Sequence, residues 1–375
     1  MSIAKGGYKT WVEVSKKALC NNAKIVRGLL KSDVKLMAVV KSNAYGHGLA
    51  ETAKLFCEYG ADWIGVDNLD EAMLLRKNNI IKPVLVLGFT SDECFSEAAK
   101  NKIRLTVYND LPKSTIPNTY PAIHLKIDTG MSRQGVTLDD LPAFLKKIPS
   151  GINIEGVFTH FANADNLEDR SYSDLQVFKF KKVLRVLEKF DIKPVIVHAS
   201  ATTGLLAVPN AQFDMVRAGI ALYGLWPSLE FAKKFNSPVG GLGLKPALSW
   251  KTRVVQIKKI KKNTPVGYGI SEKVKKDTRI AVLPVGYYDG YFRKLSSTSE
   301  VLIGGRRCKV LGRISMNLSV VDISNVENVQ IWDEVVLIGS QNKERITAEE
   351  LAQKADTISY EVVSRINPLL PRIYI

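Results

Sequence analysis

Lys41 closes the apolar run Leu36-Met-Ala-Val-Val40, and Ser42-Asn-Ala-Tyr-Gly-His-Gly48 follows it. A continuous apolar run that ends in a glycine-punctuated turn reads as a parallel strand entering a loop. Lys41 then sits at the carboxyl end of a strand, partly desolvated, where an amine can form a Schiff base with a carbonyl compound. The plain alternative is a lysine that snorkels out to solvent. Other polar residues follow apolar runs in the same way. Asp128, Gly130 and Arg133 lie in Lys126-Ile-Asp-Thr-Gly-Met-Ser-Arg-Gln-Gly135, His160 ends a run, Ser200 to Thr203 follow another, and Arg217 and Gly219 close a last one. Each has a structural explanation taken singly: a helix start for Arg133, a satisfied core imidazole for His160, a turn for Gly219.

The elements that must position these residues are short β-rich runs alternating with amphipathic segments. Eight runs are read: Leu36 to Val40, Trp63 to Val66, Val84 to Leu87, Arg104 to Tyr108, Ile123 to Ile127, Ile154 to His160, Val195 to His198 and Met215 to Ile220. Between them, Leu69 to Lys77 and Ser173 to Phe190 carry apolar residues at three- and four-residue intervals. This pattern predicts a (β/α)8 TIM-like barrel, with a doubly wound sheet as the alternative. In a barrel, chemistry gathers at the carboxyl ends of the strands, which is where the polar residues above fall.

After Pro238-Val-Gly-Gly-Leu-Gly-Leu-Lys-Pro246 the texture changes to alternating runs: Trp250 to Ile257, Arg279 to Pro284, Val301 to Leu302, Leu318 to Ile323 and Glu334 to Ile338. They predict an antiparallel β domain. One helix starts within it, from a capping box with Thr347 as N-cap and Glu350 at the third position. The expected division is 1–12 as an N-terminal segment packing with the β domain, 13–242 as the barrel and 243–375 as the β domain.

A hydrophobic share of 46% and a charged share of 24% over 375 residues are those of a globular protein with room for two domains. No run approaches eighteen apolar residues and no signal peptide is read, so a cytoplasmic protein without membrane contact is expected. Cys20, Cys57, Cys94 and Cys308 are scattered without metal-ligand spacing, so no metal is expected. The formal charge of +16 raises nucleic acid as a partner, but the lysines come as dispersed pairs. Lys258-Lys-Ile-Lys-Lys262 alone is dense, and it lacks the interleaved aromatics of a strand-binding groove.

Strands seven and eight of a barrel commonly end in a phosphate site, and Thr202, Thr203, Gly204 and Gly219 supply hydroxyls and backbone N–H groups there. A Schiff-base lysine beside a phosphate site points to pyridoxal 5'-phosphate (PLP). At this level the residues resemble a known family. Ala38-Val-Val-Lys-Ser-Asn-Ala-Tyr-Gly-His-Gly48 resembles the cofactor-lysine motif of alanine racemases. So do His124-Leu-Lys-Ile-Asp-Thr-Gly-Met-Ser-Arg133, Met215-Val-Arg-Ala-Gly-Ile-Ala-Leu-Tyr-Gly224, Pro265-Val-Gly-Tyr-Gly269, Val285-Gly-Tyr-Tyr-Asp-Gly290, Gly312-Arg-Ile-Ser-Met-Asn317 and Ile358-Ser-Tyr-Glu-Val362 resemble further motifs, in family order across essentially the whole chain.

The resemblance implies a fold-type III PLP barrel, a C-terminal β domain and a homodimer with active sites shared between subunits. It implies L-alanine and D-alanine as substrates, and D-alanine for peptidoglycan as the role. By resemblance, Lys41 holds PLP and is the base on one face of Cα, and Tyr268 of the partner subunit is the base on the other. A phenol is a weak acid and needs cationic or hydrogen-bonding neighbours to act near neutrality; His160 and Arg217 match residues near it. Arg217 matches the arginine facing the pyridine nitrogen. A guanidinium keeps its proton, so that nitrogen stays unprotonated and the ring is a weaker electron sink, which favours reprotonation over transamination. Arg133 matches the residue that meets the cofactor phenolate and the substrate carboxylate, and Lys126 a lysine that is carbamylated in many members. Tyr45, Thr202, Gly219, Ile220 and Tyr360 match the phosphate set, and Tyr287 and Met316 the substrate entrance and pocket. Two positions depart from the pattern: Ala201 replaces an asparagine, and Asn317 stands where aspartate is frequent. A racemase of other amino acids, a non-catalytic PLP carrier and a basic RNA-binding scaffold are the competing readings.

Overall fold

The computed structural model describes residues 7–111, 120–235 and 241–375. They form two compact units: Ala18–Ala44 with Leu49–Lys245, and the chain up to Lys17 with Tyr45–Gly48 and Pro246–Ile375. The first residues of the boundary expected at 238–246 lie outside the described residues.

Strand β1 (Thr10–Val14) belongs to the second unit. The barrel follows with β2 (Lys35–Val39), β3 (Trp63–Val66), β4 (Val84–Val86), β5 (Ile103–Val107), β6 (Ile123–Asp128), the two-residue β7 (Val136–Thr137), β8 (Ile154–Phe158), β9 (Ile196–His198) and β10 (Met215–Ala218). The order β5-β4-β3-β2-β10-β9-β8-β6, with β5 also paired to β6, closes an eight-stranded parallel barrel. Strands covered on both faces read as apolar runs, continuous in β3 and β4 and interrupted by polar residues in β5, β6, β8 and β10, which is why the eight are legible in the sequence. Met37, Trp63, Leu85, Ile196 and Met215 form a core cluster between strands. The helix Leu69–Lys77 starts on Asn68, whose side chain accepts from Glu71 N at 2.9 Å. The helix Ser171–Lys189 buries Val177, Phe180, Val183 and Leu187 along one stripe.

The turn after β2 differs from the glycine turn expected. Ser42, Asn43 and Ala44 all adopt left-handed helical backbone, at φ 56, 55 and 53, and Tyr45 follows at φ 51. Such a conformation costs an L-residue roughly 1–2 kcal/mol, so surrounding bonds must hold it. Ala44 N donates to Val40 O at 2.7 Å, Asn43 N to Glu71 Oε1 at 3.1 Å, and Leu49 N to Asn43 Oδ1 at 3.0 Å. Glu71 Oε2 also accepts from Asp67 N at 3.0 Å, tying this turn to the one that follows β3.

In the second unit come β11 (Leu248–Arg253), β12 (Gln256–Ile260), β13 (Thr278–Leu283), β14 (Glu300–Ile303), β15 (Arg306–Leu311), β16 (Ser319–Asp322), β17 (Glu334–Gln341), β18 (Glu344–Ile346) and β19 (Arg372–Tyr374). Their order is β12-β13-β16-β15-β14-β17-β11-β1-β19, with β18 on β17; all pairs are antiparallel except β1 with β19. The single run read over Trp250 to Ile257 is two strands. Val254 N bonds Asp333 O and Val255 N bonds Val282 O, so the chain leaves β17 for β13 at this point. Thr347 caps the helix Ala348–Ala355 by accepting from Glu350 N, while the Glu350 carboxylate is engaged by Arg307 and Lys354. Tyr45–Gly48 packs in this unit: Arg372 Nε donates to Gly46 O, and Tyr374 Oη to His47 O. A Cβ on Gly46 would lie 2.0 Å from Val363 O, so only glycine allows that approach.

Candidate active site

The carboxyl-end face of the barrel carries Lys41, Lys126, Arg133, His160, Thr202, Arg217, Gly219 and Ile220, on β2, β6, β8, β9 and β10 or the loops they feed. Lys41 is half-exposed and its Nζ lies 3.2 Å from Asp67 Oδ1, at the end of the neighbouring strand β3. Lys126 is buried within β6, with Nζ donating to Gln134 Oε1 at 2.8 Å and lying 5.6 Å over the Phe158 ring. Asp128 spends one oxygen on the backbone N–H groups of Gly130, Met131 and Ser132, which shapes the loop bearing the exposed Arg133.

Arg217 is buried in β10 and held on several sides. It donates to His198 Nδ1 at 2.8 Å, His160 Nδ1 at 3.1 Å, Thr159 O at 2.8 Å and Ala199 O at 2.8 Å. Thr202 is buried at the start of the helix Thr202–Ala207 and its Oγ1 accepts from Gly219 N at 3.2 Å, joining the ends of β9 and β10. Ala201 is that helix's N-cap and has no side-chain oxygen to offer. An asparagine there would be worth about 1 kcal/mol to the helix, so Ala201 loosens this turn.

The electrostatics of the face follow from crowded cations. Burial, then Arg133, Arg217 and Lys41, push the Lys126 ammonium down to about 8. Burial, then Arg217, Arg133, Lys126 and Lys41, push His160 down to about 3. Burial lowers Arg217 to about 9, which leaves it charged at neutral pH. His198 and His124 are lowered as well, by burial first. A neutral His160 thus stands among four cations, an arrangement that attracts anions, while His198 and His124 lie neutral behind Arg217.

An acid-lability prediction follows. The unfolded chain takes up protons near the ordinary histidine value of 6.5 that the folded imidazoles refuse. Stability is therefore full above about pH 6.5 and is lost as pH falls, down to about 3 for His160, by up to about 1.4 kcal/mol per pH unit per group. Urea midpoints should fall between pH 7 and 5; a flat profile over that interval would contradict neutral imidazoles.

The second unit carries Tyr45, Tyr268, Tyr287, Met316 and Tyr360. Tyr45 and Tyr360 come together, with ring centroids 6.1 Å apart. Tyr268 is 71% exposed on a 3-10 turn flanked by Gly267 and Gly269, both at φ 72. Tyr287 and Met316 are also exposed, and the two segments are tied by Tyr287 N to Ser315 O and Tyr288 N to Met316 O. Sequence reasoning missed Asp67, Gln134, His124, His198 and Glu155. A usable signal existed for two of them: the chain has 4 histidines, and His124 and His198 lie inside β-rich runs.

Among the described residues no group of three or more His, Cys, Asp or Glu could hold a metal ion, and no helix is long and apolar enough to cross a membrane. The family model for the alanine racemase N-terminal domain matches residues 14–227, and that for the C-terminal domain matches 247–374. An alanine racemase of Leptospira interrogans is 36% identical over 100% of this chain and 98% of its own length. One from Methanococcus maripaludis is 39% identical over 98% and 99%. The crystal structure of the Bacillus anthracis alanine racemase with bound L-Ala-P superposes with TM-score 0.90 at 36% identity, covering 98% of this chain and 95% of that one. With one family's models matching both units, and with relatives and solved structures of that family matching along its whole length, this chain belongs to the alanine racemase family.

Proposed function

We propose that the chain is a PLP-dependent alanine racemase that works by two bases, as a cytoplasmic homodimer, and supplies D-alanine for peptidoglycan. The observation that carries the reading is the convergence of Lys41, Lys126, Arg133 and Arg217 around a neutral His160. Both ligands the reaction needs, a phosphorylated cofactor and an amino-acid carboxylate, are anions that such a face would hold. The donor set therefore fits PLP. Thr202 Oγ1 and the backbone N–H groups of Gly219 and Ile220 would hold the phosphate, with the hydroxyls of Tyr45 and Tyr360. Arg217 would face the ring nitrogen, Arg133 the phenolate and the substrate carboxylate, and Lys41 would carry the covalent link. Bound there, PLP supplies the electron sink that acidifies the Cα–H of an amino acid.

Lys41 Nζ takes or returns the Cα proton on one face, and Tyr268 of the partner subunit does so on the other. His160 accepts from Arg217 at Nδ1, and as a neutral ring it carries its proton on Nε2, available to donate to a phenolate. Tyr287 and Met316 line the entrance and pocket, and Tyr360 keeps that pocket to the size of a methyl side chain. With its ammonium near 8, about a tenth of Lys126 is free amine at pH 7. That amine adds to carbon dioxide, forming an N–C bond and losing one proton, and the resulting carbamate would attract Arg133 instead of repelling it. In 13C-labelled bicarbonate a carbamate signal should appear and be lost in Lys126→Ala; its absence would leave Lys126 as an amine.

Chiral separation tests the function itself. The purified chain should convert L-alanine to D-alanine with PLP and not after PLP is removed. Conversion that is indifferent to PLP, or PLP binding without conversion, would refute the reading.

A further inference from the structure

A line of buried polar side chains runs from Arg217 into the interior of the barrel, where branched apolar residues ordinarily fill the core. Arg217 donates to His198 Nδ1 at 2.8 Å, His198 Nε2 lies 2.9 Å from His124 Nδ1, and His124 Nε2 lies 3.6 Å from Glu155 Oε2. Both imidazoles are fully buried. The Phe158 ring stacks on His198 at 4.7 Å, and the Trp63 ring meets His124 edge-on at 5.4 Å.

The local fold makes room for this line in two ways. Strands β6 and β8 shift register between Ile123 and His124, so that Ile123 faces Ile154, His124 faces Gly156, and Glu155 is the extra residue of a bulge. A bulge re-aims the side chain it carries, here beside His124. Gly156 completes the fit, since a Cβ on it would lie 2.4 Å from His124 Nδ1. Arg104 grips Glu155 with a two-pronged contact, Nε to Oε2 at 2.8 Å and NH2 to Oε1 at 3.1 Å.

The two ends of the line determine the direction of every bond in it. A guanidinium has no acceptor, so His198 Nδ1 must present a lone pair. A neutral His198 then carries its proton on Nε2 and donates to His124 Nδ1, which leaves the His124 proton on Nε2, facing the carboxylate. At 3.6 Å this last contact is longer than a hydrogen bond, but an ionised carboxylate favours a proton on the nitrogen that faces it, so the far end agrees with the near one. We propose, on the racemase reading above, that Glu155 and His124 are positioning residues for Arg217. The guanidinium sets the hydrogen-bond directions through two neutral imidazoles, and the carboxylate, facing the N–H at the far end, holds that line and with it the guanidinium as a charged, donor-only group toward the cofactor ring.

The test uses the holoenzyme with 15N-labelled histidine, in which long-range nitrogen–proton spectra show which ring nitrogen bears the proton. His198 and His124 should both be neutral and protonated on Nε2. In Glu155→Gln the charge of the carboxylate is lost while the Arg217 end still fixes both tautomers, so both rings should stay protonated on Nε2 beside a weaker acceptor. kcat should then fall about tenfold with little change in KM, the scale seen for outer partners of functional imidazoles. Arg104→Gln keeps the carboxylate and should keep kcat, which separates the relay from a merely structural ion pair. An unchanged kcat in Glu155→Gln would overturn the proposal. If that variant does not fold, the spectrum of the unsubstituted enzyme still decides, because a proton on His198 Nδ1 overturns the relay while leaving the racemase reading standing. The expected tautomers in a chain with no racemase activity would instead overturn the racemase reading.

Discussion

Lys41→Ala should lower alanine racemisation by at least about 10³-fold, because on the proposed two-base reading it removes both the covalent anchor and one of the bases. It should not harm the fold. The side chain is half-exposed, and its contact with Asp67 is a surface ion pair, of a kind worth about 1 kcal/mol or less. The left-handed turn that follows depends on Val40, Glu71 and Asn43 and not on the Lys41 side chain. The measurement is mass analysis after borohydride treatment with PLP, alongside chiral separation. The unsubstituted chain should gain a reduced PLP adduct on Lys41, and the variant none. An adduct that persists in the variant would place the link on another lysine.

Tyr268→Phe should lose roughly 10² to 10⁴ in racemisation, the usual worth of a general acid or base, while still binding PLP. At 71% exposure the phenol supports little of the fold, so a loss of activity would be chemical. The same variant tests the shared site. Mixed in equal amounts with Lys41→Ala and allowed to exchange subunits, it should form heterodimers in which one of the two sites has both bases, restoring activity in about a quarter of all sites. Two variants that stay inactive after proven exchange would mean that both bases come from one subunit.

The barrel is legible because its strands are covered on both faces and read as β-rich apolar runs, uninterrupted at Trp63 to Val66 and Val84 to Leu87. The strand-end rule then points to Lys41, His160 and Arg217. What stayed hidden depends on contacts distant in the chain. Nothing in Ser42-Asn-Ala-Tyr45 announces left-handed backbone, because Glu71 and Leu49 enforce it. The break at Val254 is likewise invisible in a run of alternating residues, since Asp333 and Val282 decide where the chain changes neighbours. His124, His198 and Glu155 fell inside β-rich segments and passed as strand residues. Their alignment arises from a bulge and a glycine that bring three separate strands to one line.

The central claim, two bases acting on the Cα of a small amino acid, is tested most directly by incubating the enzyme and PLP in D2O with L-alanine and, separately, L-serine. Cα deuteration is followed by NMR and the enantiomers by chiral separation. Deuterated D-alanine should form faster than D-serine, by roughly the 10- to 200-fold that a pocket gains from one or two extra atoms. Deuteration of L-alanine with no D-alanine would show one base working without an opposing one, and either that result or no exchange at all would contradict the account.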